Sequence, residues 1–246
     1  AFALWDMKKQ CLFVARDRLG KKPFYYYLDG ERLVFGSELK SILQVKNLPR
    51  RVSPEALDLY LTYEYIPAPH TIFADIKKLP AGHTLTIHGD GKSELRCYWD
   101  LHFHENGRTP QELQHGLLEL LQDAVRIRLM SDVPLGLFLS GGIDSSGLAA
   151  LMAPIVKEPI RTFSVGFTEL EANELEYARL AARAVKAEHR EVVVSPEQFF
   201  EALPRLVWHE DEPIAFTSSV PLYFVSRLAR DHVKVVLTGE GADELF

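Results

Sequence analysis

The apolar run Leu135-Gly136-Leu137-Phe138-Leu139 stops abruptly at Ser140-Gly141-Gly142-Ile143-Asp144-Ser145-Ser146, and an Ala- and Leu-rich segment follows. Such a sequence has little local choice: a buried strand ends at paired glycines and turns directly into a helix. That junction leaves several backbone N–H groups converging on one spot, with the positive end of the helix dipole behind them. The glycines let a bulky anion touch the main chain, and the three serines add hydroxyl donors. The loop holds no lysine, so it is not the GxxxxGK[ST] loop that grips the end of a triphosphate. Asp144 stands where a lysine would help, which fits a divalent cation bridging it to phosphate oxygens. The loop is expected to hold pyrophosphate, and this points to cleavage of a nucleotide at its α-phosphate.

The rest of the second half fits the same architecture. Thr109-Pro110-Gln111-Glu112 has the spacing of a capping box, and Leu113, Leu117, Leu120, Leu121, Ala124 and Val125 then form one apolar helical face. Strands are expected at Pro134–Leu139, Ile160–Val165, Arg190–Val194 and Val233–Leu237. Helices are expected at about Ser145–Val156, Glu174–Lys186, Pro196–Trp208 (capped by Ser195) and Pro221–Asp231. This alternation predicts an α/β fold with a doubly wound parallel sheet, whose continuously apolar strands suit burial on both faces. Ligands of such sheets bind beyond the carboxyl ends of the strands. Three segments fall there: Ser140–Ser146, Gly166-Phe167 and Thr238–Glu244. The last carries Glu240, Asp243 and Glu244 among glycines. Alone it reads equally well as a helix-start turn with acids favouring the dipole. Beside the serine–glycine loop on one edge, Asp144 and Asp243 become candidate Mg²⁺ carboxylates and Glu240 a candidate proton acceptor for an attacking amine.

Residues 1 to about 100 read differently. Short β-like runs at Phe2–Trp5, Cys11–Ala15, Phe24–Leu28, Leu33–Gly36 and Thr84–His88 are separated by turn signals such as Asp29-Gly30 and Asp90-Gly91, which predicts an antiparallel sheet. Ser53-Pro54-Glu55 marks a helix start. His102–Arg108 reads as a solvated linker, its two histidines as linker residues rather than metal ligands. Cys11 and Cys97 lie in no CxxC pattern and read as buried inert thiols. Arg16-Asp17 and Lys21-Lys22 read as a turn fixed by an internal ion pair. His209-Glu210-Asp211-Glu212-Pro213 reads either as an acid–base or metal cluster or as a solvated acidic helix end; its position before Ser218-Ser219 suggests a loop near the mouth of the site. The net charge of −6, with no dense basic block, argues against a nucleic-acid surface. No apolar run approaches the roughly 20 residues that span a bilayer. The first residues already read as a strand and the last break off inside a motif, so the chain is expected to be an internal fragment of a longer protein.

The serine–glycine loop is similar to that of the N-type ATP pyrophosphatases. Arg16-Asp17-Arg18-Leu19-Gly20 with Pro23-Phe24-Tyr25-Tyr26, Phe35–Lys40, Leu79-Pro80-Ala81-Gly82-His83 and Thr238–Glu244 resemble the glutamine-hydrolysing asparagine synthetases, in that family's order and over nearly the whole chain. The resemblance implies two domains: residues 1–105, the rear part of an α+β N-terminal-nucleophile glutaminase domain with its linker, and 106–246, the front of an adenine nucleotide α-hydrolase-like synthetase domain. It implies ATP and Mg²⁺ as cofactors, with aspartate and glutamine or ammonia as substrates. The cysteine usage fits a cytoplasmic protein, charge and hydropathy argue against a nucleic-acid or membrane partner, and a homodimer is one candidate assembly. Ser140, Gly141, Gly142, Asp144, Ser145 and Ser146 would hold pyrophosphate and metal, with Asp243 the second metal carboxylate. Phe138, Leu139, Val165, Thr238 and Gly239 would contact adenosine, and Glu240 would be the general base. Where Thr238 stands the family usually has serine, which keeps the hydroxyl. The family's nucleophilic cysteine would lie upstream of Ala1, so no glutaminase role is expected of Cys11, and the fragment is not expected to complete synthesis alone. Two other readings stay open: a related amidotransferase or cyclase acting on another carboxylate, as in β-lactam synthetase or peptide- and polysaccharide-modifying relatives, and a nucleotide-binding homologue without turnover.

Overall fold

A computed structural model describes residues 1–104, 107–168, 174–213, 215 and 218–245. The chain divides into two compact units, Ala1–Glu105 with Arg205–Phe216, and Asn106–Pro204 with Thr217–Phe246. The junction expected between residues 105 and 106 lies outside the described residues.

In the first unit, β1 (Phe2–Asp6), β2 (Cys11–Ala15), β6 (His83–His88) and β7 (Ser93–Cys97) form an antiparallel sheet in the order β1-β2-β6-β7. A second antiparallel sheet has the order β4-β3-β5, from β3 (Tyr25–Leu28), β4 (Leu33–Gly36) and β5 (Ile76–Lys78). Successive strand residues point to opposite faces, and Tyr26 and Tyr27 show the consequence. Tyr26 packs with Val14, Leu85 and Ile87 of the first sheet, while Tyr27 packs with Ile76 and with Leu39 and Ile42 of α1 (Leu39–Ile42). The helix signal at Ser53 is met by α2 (Pro54–Tyr63), whose Ala56 N–H is accepted by the Ser53 hydroxyl at 3.1 Å.

Two expectations for this unit need correction. Cys11 is buried but Cys97 is exposed, because β7 is an edge strand exposed along its whole length. The Arg16–Asp17 turn is fixed by backbone partners instead of an ion pair. Asp17 accepts the N–H groups of Lys21 and Lys22, and the Arg16 guanidinium donates to the carbonyls of Gly20, Lys22 and Leu79. Those amides, the Lys22 N–H foremost, hold the Asp17 carboxyl below its ordinary range.

The second unit contains α3 (Pro110–Arg128), β8 (Leu135–Phe138), α4 (Ile143–Met152), β9 (Arg161–Phe167), α5 (Leu175–Ala184), β10 (Glu188–Val194), the first part of α6 (Pro196–Glu210), α7 (Ser219–Ala229) and β11 (Val235–Leu237). The strands form one parallel sheet in the order β10-β9-β8-β11. Both faces are covered. Leu137, Leu139 and Leu237 pack against Val125 of α3, Ala149 and Met152 of α4 and Ala178 and Ala182 of α5. On the other face Phe163 packs against Val225 and Ala229 of α7. Burying each such Leu or Phe side chain contributes about 1.5–3 kcal/mol. The Thr109–Glu112 capping box forms in both directions, and Ser195 caps α6 by accepting the Gln198 N–H at 3.3 Å. The apolar face of α3 is only partly used. Val125 is buried, whereas Leu113, Leu117 and Leu120 are exposed.

Candidate active site

In sequence, β8, β9 and β10 are laid down outward in one direction, and β11 then pairs on the other side of β8. The direction of winding therefore reverses between β8 and β11, and a crevice opens beyond the carboxyl ends of two strands at such a reversal. The loops at these two strand ends are Ser140–Ser146 and Thr238–Glu244. They run close together: a Cβ placed on Gly239 would lie 3.1 Å from the Asp144 Cβ and 3.2 Å from the Ser145 nitrogen. Only a glycine permits that approach without displacing the start of α4.

The serine–glycine loop is braced from within. The Ser140 N–H reaches the Ser145 hydroxyl at 3.2 Å, the two hydroxyls are 2.9 Å apart, and Ser145 Oγ donates to the Gly142 carbonyl at 3.3 Å. Ser145 is thus a buried brace, while Ser140 lies exposed at the surface of the loop. Gly141 has φ +90, and a Cβ there would meet the Ala178 nitrogen at 2.4 Å. Gly142 is the N-cap of α4, and no side chain caps that terminus. Its positive dipole end stays available to an anion. Asp144 sits in the first turn of the same helix and is exposed, as are Thr238, Glu240 and Asp243.

The apolar candidates divide between the two faces of the sheet. Phe138 and Val165 are half-buried beside Phe163. Leu139 is buried in the opposite core; its N–H donates to the Phe163 carbonyl at 2.9 Å, and its own carbonyl accepts from the Ser164 hydroxyl. No group of three or more His, Cys, Asp or Glu side chains able to hold a metal occurs among the described residues. A cation at this rim therefore needs oxygen ligands from a substrate besides the carboxylates, as Mg²⁺ commonly has. A hollow of about 600 Å³ lined by Leu129, Met130, Leu135, Met152 and Ile155 opens at the other, amino-terminal ends of the strands. It lies away from every residue with a candidate chemical role. The sequence reading missed Tyr177, an exposed residue whose Cβ closely neighbours Gly141.

The His209–Pro213 cluster forms no metal-capable group among the described residues, and of its acids the side chains of Asp211 and Glu212 are buried rather than solvated, while His209 is exposed. Asp211 and Glu212 turn into the first unit. Asp211 pairs with Lys40 at 3.0 Å and accepts the Leu39 N–H at 2.8 Å. Glu212 pairs with Lys78 at 2.6 Å and accepts the Ile72 N–H at 3.1 Å. Burial raises the Glu212 carboxyl above its ordinary range despite Lys78. Burial, with Glu212 and Asp211 nearby, also pushes the Tyr25 hydroxyl up to about 12.

Comparison with known proteins adds two family matches. Residues 116–246 match the asparagine synthase family, and residues 1–99 match a glutamine amidotransferase domain. The whole chain is 38% identical to asparagine synthetase [glutamine-hydrolyzing] 1 of Bacillus subtilis, spanning 39% of that protein. It is 40% identical to putative asparagine synthetase [glutamine-hydrolyzing] 2 of Methanocaldococcus jannaschii, spanning 48% of it. It is also 31% identical to amidase chyE of Penicillium rubens, again spanning 39%. The chain therefore corresponds to less than half the length of these relatives.

Proposed function

The chain belongs to the asparagine synthase family, and from that premise we propose that it contributes the ATP site of a glutamine-hydrolysing asparagine synthetase. The observation that carries this reading is the close approach of Gly239 to Asp144 and Ser145, which sets the serine–glycine loop and the acidic loop at one reversal of the sheet. Ser140, Gly141, Gly142 and Ser146 hold the pyrophosphate of ATP against the uncapped start of α4, with Ser145 bracing the loop. Phe138, Val165, Thr238 and Gly239 contact adenosine, and Leu139 supports them from the core. The exposed carboxylates of Asp144 and Asp243 suit Mg²⁺, which supplies neutralisation of the charge on the departing pyrophosphate.

In the proposed reaction the side-chain carboxylate of aspartate attacks the α-phosphorus. Pyrophosphate leaves, and an acyl-adenylate forms. Ammonia from glutamine then attacks the acyl carbon, Glu240 takes a proton from the attacking nitrogen, and AMP departs with the former carboxylate oxygen. ATP dependence, Mg²⁺, aspartate and glutamine all belong to the proposal, and they concern the whole protein.

The test is pyrophosphate release by the whole protein with ATP, Mg²⁺ and a panel of carboxylic acids. Release with aspartate alone supports the reading. Release with a different acid favours an amidotransferase or cyclase of other specificity, an alternative that the likeness to a protein called an amidase keeps in view. No release with any acid favours a nucleotide-binding homologue without turnover. Asp144→Ala is expected to lower ATP–pyrophosphate exchange by at least about 10²-fold while glutaminase activity persists. Retained exchange sinks the loop assignment.

A further inference from the structure

Asp211 and Glu212 have no part in the reaction above, and their surroundings are unexpected for their place in the sequence. They lie inside the segment that matches asparagine synthase, residues 116–246, yet they pack in the unit whose residues 1–99 match the glutamine amidotransferase domain. α6 ends at Glu210. Asp211 then adopts φ +65, a left-handed conformation that Asp tolerates better than most residues. Its carboxylate reaches the start of α1, whose own N-cap, Glu38, makes no capping bond with its side chain. There it accepts the Leu39 N–H and pairs with Lys40, while Glu212 accepts the Ile72 N–H and pairs with Lys78. Both carboxylates are at most 8% exposed. The Ala215 N–H adds a bond to the Glu64 carbonyl at 3.1 Å.

Buried ion pairs are a poor choice for stability alone, since apolar residues of like volume often serve as well or better. Where such pairs are retained, their best-attested use is to fix one register. The geometry points to a positioning role for Asp211 and Glu212. They latch the chain just past the end of α6 within the amidotransferase-like unit, so that nitrogen release there stays in step with acyl activation at the Thr238–Glu244 loop. This role rests on the function proposed above.

The experiment uses the whole protein with Glu212→Gln, Asp211→Asn and Lys40→Met. The last removes a cation while leaving both acidic side chains in place. Glutamate formed and pyrophosphate released are measured together with glutamine as nitrogen source. Pyrophosphate release is then measured with ammonium instead. The variants are expected to raise the glutamate-to-pyrophosphate ratio about 2- to 30-fold while ammonium-driven release stays near that of the parent. If Asp211→Asn does not fold, the ratio in Glu212→Gln and Lys40→Met decides. An unchanged ratio overturns the latch, as does a parallel fall in the ammonium-driven reaction, which marks a structural role only. Failure of the parent itself to release pyrophosphate with ammonium defeats the proposed function instead.

Discussion

Gly141→Ala offers a direct test of how the serine–glycine loop is held. At φ +90 an alanine is strained by about 1–3 kcal/mol whatever the space around it. The space is also missing. The new Cβ would lie 2.4 Å from the Ala178 nitrogen and 2.6 Å from the Tyr177 carbonyl carbon, where ordinary contacts begin near 3.4 Å, so loop or helix must retreat by about 1 Å. The obstacle is backbone rather than the end of a flexible side chain. Retreat of α5 would loosen the packing of Ala178 and Ala182 against Leu137 and Leu139, and such overpacking costs about 1–3 kcal/mol. The combined loss is about 2–6 kcal/mol, a large part of the 5–15 kcal/mol typical of a folded protein. Gly147 is the internal control. It lies within α4, and outside that helix no atom comes within 4 Å of the place an added methyl would take. Alanine there should stabilise by about 0.5–1 kcal/mol. Thermal unfolding should therefore place Gly141→Ala at least about 4 °C below the parent and Gly147→Ala at or above it. Equal midpoints for the two variants would falsify this account of the loop.

Glu212 predicts a pH effect. Its folded carboxyl titrates above the ordinary value of 4.5, so between these two points the folded state binds the proton more tightly than the unfolded chain. Stability must fall as pH rises through that window, and the penalty is absent below 4.5. Lys78→Met removes an opposing charge and widens the window, each added unit removing about 1.4 kcal/mol at neutral pH. Melting midpoints between about pH 5 and 8 should decline more steeply in Lys78→Met than in the parent; parallel profiles refute the pairing. Of the two cysteines, Cys97 should react with a thiol reagent in the native protein and Cys11 only on unfolding. Early modification of Cys11 contradicts its burial in β2.

The second unit was legible in the sequence because burial on both faces leaves an unambiguous mark. The apolar run Leu135-Gly136-Leu137-Phe138-Leu139 of the central strand and its stop at Ser140-Gly141-Gly142 need no distant partner to be recognised. β5 and β7 were missed for the opposite reason: Ile76-Lys77-Lys78 is short and lysine-rich, and Ser93-Glu94-Leu95-Arg96-Cys97 has only two apolar residues and forms an exposed edge. Cys97 looked buried since its neighbours in sequence do not reveal which strand has only one pairing partner. For the candidate site, the two loops and their shared rim could be inferred from the alternation of strands and helices, whereas the close approach of Gly239 to Asp144 depends on β11 returning beside β8. The fate of Asp211 and Glu212 was hidden entirely, because Lys40 and Lys78 lie more than a hundred residues away. An acidic cluster beside a proline reads as solvated until its counter-ions are found.

The return of Arg205–Phe216 to the first unit also bears on how the chain acquires its shape during synthesis. Domains generally fold from the N-terminus as they leave the ribosome, at about 5–20 residues per second. Here the lysines at 40 and 78 emerge long before their acids, so that unit must wait roughly 6–22 s with its last segment still untranslated.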